Sequence, residues 1–134
     1  METKEYFESY QEFVNSVTSN GAKDDNVFNN RFHELSEKLH GNFARLDHAV
    51  NGLTGEAGEV ADVWKKIKFM GKNFDDEARN ELVKELGDVC WYVFSVAAAL
   101  EIDISEVIER NIEKLKARHP NGYSALYLKN KKGE

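Results

Sequence analysis

FARLDHAVNGLTGEAGEVADVWKKIKF, residues 43–69, is followed after a short polar break by DDEARNELVKELGDVCWYVFSVAAAL, residues 75–100. In the first stretch Leu46, Ala49, Leu53, Ala57, Val60, Trp64 and Ile67 recur every three or four residues. Ala78, Leu82, Leu86, Val89, Val93, Val96 and Leu100 do the same in the second. A 3.6-residue period held over such lengths specifies two long amphipathic helices. Gly71, with Lys72 and Asn73, ends the first, and Asp75 or Asp76 caps the second. With short connections between its helices, the fold class is all-α, built on a helical bundle.

Outward from this pair the pattern remains helical. Thr3 to Ser19 carries Tyr6, Phe7, Tyr10, Phe13, Val14 and Val17 at helical spacing, an aromatic stripe between acidic residues. SNGAKDDN, residues 19–26, reads as a loop, and a shorter helix is expected from Phe28 to Leu39, ended by Gly41. Asp103 and Glu106 offer a capping box to a fifth helix, which carries Val107, Ile108, Ile112 and Leu115 up to Pro120. The tail, residues 121–134, is basic and expected to be partly irregular. No stretch shows the period-two alternation of a strand. The reading is one domain, residues 1–134, with about five helices.

Composition narrows the function. Eighteen basic against twenty-four acidic residues give a net charge of −6. That disfavours stable nucleic-acid binding, which needs a basic face, but not a small phosphorylated ligand held by a few local lysines. No run of eighteen apolar residues exists, so no membrane span is expected. The acidic, amphipathic N-terminus lacks the features of a signal peptide. A single cysteine, Cys90, leaves no internal disulfide and fits a reducing compartment. One proline and nine glycines suit long helices.

The chemistry lies in two acidic doublets, Glu56-Ala-Gly-Glu59 and Glu85-Leu-Gly-Asp88. In each, two carboxylates sit one helical turn apart and share a face. With Glu56 at zero, Glu59 falls at about 300° and the apolar stripe at roughly 20° to 80°. With Glu85 at zero, Asp88 and the second stripe fall at about the same angles. Both acid strips therefore border the apolar stripe, and they meet at its edge if the stripes pack together. Carboxylates gathered at short range disfavour one another's ionised forms, and a divalent cation removes the conflict. All-oxygen ligation, with no histidine or thiolate beside it, selects Mg²⁺ or Mn²⁺ over Zn²⁺. The reaction this suits is metal-assisted attack of water on a phosphoryl group.

One acidic doublet is usually a solvated helix face. Two, on consecutive helices and both bordering the core, are far less ordinary. Gly52, Gly55, Gly58 and Gly87 lie inside these helices, where each costs about 1 kcal/mol relative to alanine. That implies close approach by a ligand or another helix. Lys66 shares the face of Glu59 and suits a phosphate oxygen, or is one of several solubilising lysines with Lys65, Lys68 and Lys72. Tyr92, one turn beyond Asp88, reads as a base-stacking or phosphate-bonding group, or as an amphipathic residue at the core edge. Trp64 and Cys90 read as packing residues. Trp91 falls outside the stripe, as an interface or stacking platform. His33, His40, His48 and His119 show no ligand spacing.

The runs 52–66, 85–92 and 111–120 (GLTGEAGEVADVWKK, ELGDVCWY and NIEKLKARHP) together resemble the MazG-like nucleotide pyrophosphohydrolases of the all-α NTP pyrophosphatase superfamily. Dimeric dUTPases and phosphoribosyl-ATP pyrophosphohydrolases are relatives. The resemblance covers roughly residues 46–123. It implies a four-helix core in which Glu56, Glu59, Glu85 and Asp88 bind Mg²⁺. It implies hydrolysis of a nucleoside triphosphate to the monophosphate and pyrophosphate. Asn111, Lys114 and Arg118 match the family's third block, where basic and amide groups face the phosphates. A carboxylate not fully engaged by metal, Glu59 first among them, is the candidate to accept the proton of the attacking water. The resemblance also implies a homodimer or homotetramer, and a single-unit protein of the bacterial or phage type, acting in the bacterial cytoplasm. The alternatives are a dUTPase-like or other nucleotide-specific diphosphatase, or a non-catalytic helical oligomer that binds a nucleotide or a protein. The second would be expected to lack one of the four acids, and none is missing.

Overall fold

The computed structural model describes residues 2–125 of the chain. Five α-helices follow one another: α1 (Thr3–Val17), α2 (Asp25–Lys38), α3 (Phe43–Phe69), α4 (Asp76–Ala99) and α5 (Ile104–Arg118). The fold is all-α, as the periodicity requires. Among the described residues there is no strand, and a lone bridge pairs Pro120 with Gly122. Residues 126–134, the greater part of the expected basic tail, lie outside the described residues. So do its lysines Lys129, Lys131 and Lys132.

The chain divides into two compact units, Met1–Leu39 and His40–Glu134. In the first, α1 ends at Val17, two residues before the expected Ser19, because Thr18 turns to extended backbone and its hydroxyl donates to the carbonyl of Val14 at 2.6 Å. A 3-10 turn over Asn20–Ala22 leads to α2. That helix begins at Asp25, three residues before the expected Phe28. The Asp24 carboxylate accepts the N–H groups of Asn26 and Val27 at 2.9 and 3.1 Å. The polar cap sets the start of the helix ahead of its first apolar residue. The aromatic stripe of α1 stays open, with Tyr10 60% and Phe13 58% exposed.

In the second unit, α3 and α4 pack along their length and α5 touches α4 lightly. Each helix starts on a side-chain cap. Asn42 accepts from Arg45 N–H at 2.9 Å, Asp75 from Ala78 N–H at 2.9 Å, and Asp103 from Ser105 N–H at 2.8 Å. Glu106, expected to close a capping box with Asp103, pairs with Arg110 instead. Where α3 begins and α4 ends, Asn42 N–H donates to the Ala99 carbonyl at 2.8 Å. Gly41 lies so close there, at a φ of 146°, that a Cβ would stand 2.0 Å from that carbonyl oxygen. At the other end Lys72 is paired with Glu81 of α4. The tie fixes the short connection after Gly71, which has a φ of 75°.

Small residues fill the interface. Ala49 and Val63 of α3 are buried, and on α4 Ala78, Ser95 and Ala99 are buried on the side that carries Glu85, with Ala97 buried on another side. Trp64, expected in the core, is 48% exposed and lies edge-on to Phe74 at 6.3 Å. The reason is rotational. With Glu56 at zero, buried Val63 and Ala49 fall at about 340° and 20°, so the inner face is centred close to Glu56 and Trp64, at about 80°, sits on its margin. Leu86 and Cys90, likewise read as packing residues, are exposed on the outer side of α4. The α5 stripe, Val107, Ile108, Ile112 and Leu115, is also exposed.

Candidate metal centre

The same rotation places the acids. Glu56 and Glu85 turn inward and are half-buried, while Glu59 and Asp88 are exposed at the edge of the interface. Antiparallel packing of α3 on α4 brings carboxylate oxygens of Glu56, Glu85 and Asp88 within 4.8 Å of one another. The fourth predicted ligand, Glu59, stands outside this trio, yet its charge reaches Glu85.

Electrostatics marks the place as unfavourable for unaided anions. The Glu85 carboxyl is held above the usual glutamate range, first by desolvation and then by the charges of Asp88, Glu56, Glu59 and Glu81. A cation of oxygen-ligating type relieves that repulsion, and three carboxylates with no nitrogen or sulfur donor in the group suit a hard ion. Glu81 belongs to this charge field although the doublet reading passed over it. Its position four residues before Glu85 was the signal, since that spacing keeps it on the same strip.

The predicted phosphate-binding residues are placed differently. Lys66 forms an ion pair with Asp62 at 2.7 Å, one turn back on α3. Asp62 first of all, and also Glu59 and Glu81, hold its ammonium above the usual lysine range. Tyr92 is half-buried, and its ring lies directly over the backbone of α3 at Gly52. Asn111 and Lys114 are exposed on α5, and Arg118 is half-buried at its end. The carboxylate trio comes from α3 and α4 alone, and α5 contributes none of it. Gly55, Gly58 and Gly87, read as points of close approach, have open space where a side chain would go, and only Gly52 of the four meets a neighbour.

This is an all-α protein with an interhelical carboxylate cluster suited to a hard divalent cation. The signature of the MazG nucleotide pyrophosphohydrolase domain matches residues 46–123, and the chain belongs to that family of nucleotide pyrophosphohydrolases. It is 42% identical over 78 residues to the Gene 37 protein of Mycobacterium phage L5, a match covering 58% of this chain and 68% of the phage protein. No solved structure matches the chain. Among the described residues, no helix is long and apolar enough to cross a membrane.

Proposed function

We propose that the protein is a Mg²⁺-dependent nucleoside triphosphate pyrophosphohydrolase, converting a ribo- or deoxyribonucleoside triphosphate to the monophosphate and pyrophosphate. The observation that carries this reading is the convergence of Glu56, Glu85 and Asp88 within 4.8 Å across two helices, inside the segment that matches the family. These three residues would hold Mg²⁺ or Mn²⁺. Bound there, the ion would polarise a phosphoryl oxygen and lower the pKa of water toward a competent nucleophile.

The chain's own groups do the rest. Glu59, exposed and outside the trio, is the base that takes the proton of the attacking water. Lys66, kept protonated by Asp62, supplies positive charge close to Glu59 for the phosphate chain. Asn111, Lys114 and Arg118 are read as further phosphate contacts, and Tyr92 as a wall of the site.

Assembly belongs to the same reading. Val83, Leu86, Trp91 and Phe94 expose an apolar face on α4, at spacings of three to five residues, with Gly87 open in their midst. That surface, with the uncovered α5 stripe, supports a homodimer or homotetramer. The net charge of −6 argues against stable nucleic-acid binding. Similarity to a phage protein supports action in the bacterial cytoplasm.

The deciding experiment incubates the protein with each common NTP and dNTP plus Mg²⁺ and separates the products by charge. Monophosphate with pyrophosphate is expected. Diphosphate with orthophosphate would refute the cleavage position, and full turnover in excess EDTA would refute the metal.

A further inference from the structure

Gly52 is the one glycine within α3 and α4 whose missing side chain is used. A Cβ built there would lie 2.1 Å from Cε1, 2.3 Å from Cζ and 2.7 Å from Cδ1 of Tyr92. No real side chain tolerates such distances, so the Tyr92 ring rests on bare backbone of α3. Two further rings lie beside it. His48 lies at 5.8 Å between ring centroids, and Trp91 stands edge-on at 4.9 Å.

Position in the hairpin gives the contact its meaning. Gly52 is one turn before Glu56 on α3, and Tyr92 is one turn after Asp88 on α4. The two helices run antiparallel, so the ring-on-glycine contact is the layer next to the carboxylates on that side. An aromatic ring set against a glycine leaves no room for even a methyl group between the two helices at that layer. The acids converge only if that separation holds. Ion coordination responds to small shifts of its ligands, and loss of a group that supports a ligand costs about 10- to 100-fold in metal affinity.

We infer that the seat of Tyr92 on Gly52 is the spacer that sets the distance between the α3 and α4 carboxylates, making both positioning residues for the metal centre. The inference rests on the metal reading above, and it differs from a role for Tyr92 as a contact to substrate. The phenol hydroxyl has no part in it, and the ring has all of it.

The test measures Mn²⁺ uptake by the full chain, without nucleotide, from loss of the free-ion electron paramagnetic resonance signal. Gly52→Ala should weaken uptake by about tenfold or more, the scale found when groups supporting ligands are lost. Tyr92→Phe should keep wild-type uptake. Tyr92→Leu makes room for a methyl group, so Gly52→Ala combined with Tyr92→Leu should recover most of what Gly52→Ala loses. Thermal midpoints in EDTA of wild type, Gly52→Ala, Tyr92→Leu and the double variant form a double-mutant cycle, which should show coupling between positions 52 and 92 independent of metal.

The outcomes separate. A wild type that takes up no Mn²⁺ overturns the metal reading and this inference with it. Wild-type uptake matched by Gly52→Ala overturns the inference alone, as does failure of the double variant to recover. Absence of coupling in EDTA overturns the seat itself. A loss confined to nucleotide KM in Tyr92→Leu, with Mn²⁺ uptake intact, assigns the ring to the substrate and not to spacing.

Discussion

Glu59→Gln and Asp88→Asn each keep size and shape while removing one negative charge beside Glu85, whose ionisation those charges oppose. In EDTA the thermal midpoint of either variant should therefore stay level or rise. The proposed metal site predicts that Mg²⁺ raises the wild-type midpoint, because the ion would bind only the folded state, and in the variants this rise should shrink. Hydrolysis should drop by at least about a hundredfold, the usual scale when a key electrostatic group is lost. Calorimetry with and without Mg²⁺ reads the first two effects, and product separation reads the third. Near-wild-type turnover in both variants would make these acids ordinary surface charges. Gly41→Ala tests a different kind of constraint. Its φ of 146° and the 2.0 Å approach to the Ala99 carbonyl predict a loss of roughly 1–3 kcal/mol, measured from the urea midpoint. The acid doublets were readable because a spacing of three residues fixes two side chains on one helix relative to each other. Their partners across the interface were not. Whether Tyr92 meets Gly52, or Glu56 meets Glu85, depends on how far one helix slides along the other, and periodicity within a helix carries no such coordinate.

Helix boundaries follow the caps. The bounds of α3 were read in full, since Asn42 precedes it and its apolar period runs unbroken to Phe69. The start of α2 lies ahead of the expected Phe28 because Asn29, Asn30 and His33 dilute its apolar stripe, while the Asp24 cap sets the first turn. For α5 the cap makes a prediction in pH. The Asp103 carboxylate accepts the Ser105 hydroxyl and backbone N–H, and these bonds hold it below the usual aspartate range. A carboxyl lowered on folding contributes stability above its unfolded pKa, and that contribution is lost as pH falls through the folded value. Asp103→Ala should therefore melt earlier than wild type at neutral pH. The gap between the two should close as the solution is taken below the range in which aspartate ionises. Thermal melts followed by far-UV circular dichroism across that range check it, and a gap that stays constant with pH would deny Asp103 its capping role. Rotation of the helices was the harder matter. Trp64 and Leu86 fit a 3.6-residue stripe on paper, but the face that packs is centred on smaller residues nearer the acids.

Among the described residues those buried are Ala49, Val63, Ala78, Ser95, Ala97 and Ala99, which remove little apolar surface from water. Val83, Trp91 and Phe94 on α4 and Ile108 on α5 stay more than half exposed. Light scattering at micromolar concentration should accordingly give a mass of at least twice the 15.3 kDa of one chain. A mass near that of one chain would refute assembly. Fold class was readable here from helical period alone, whereas the number of copies was not, because an apolar stripe looks the same whether its own chain or another covers it. The alanine-lined seam between α3 and α4 also bears on how the protein responds to dilution. With no large side chain fully buried among the described residues, the proposed assembly would join folding and association in a single equilibrium, with concentration acting on it as a thermodynamic variable. For a dimer, each tenfold dilution removes about 1.4 kcal/mol from the folded state at room temperature. The unfolding midpoint should fall as the sample is thinned, and the main refolding phase should slow in proportion.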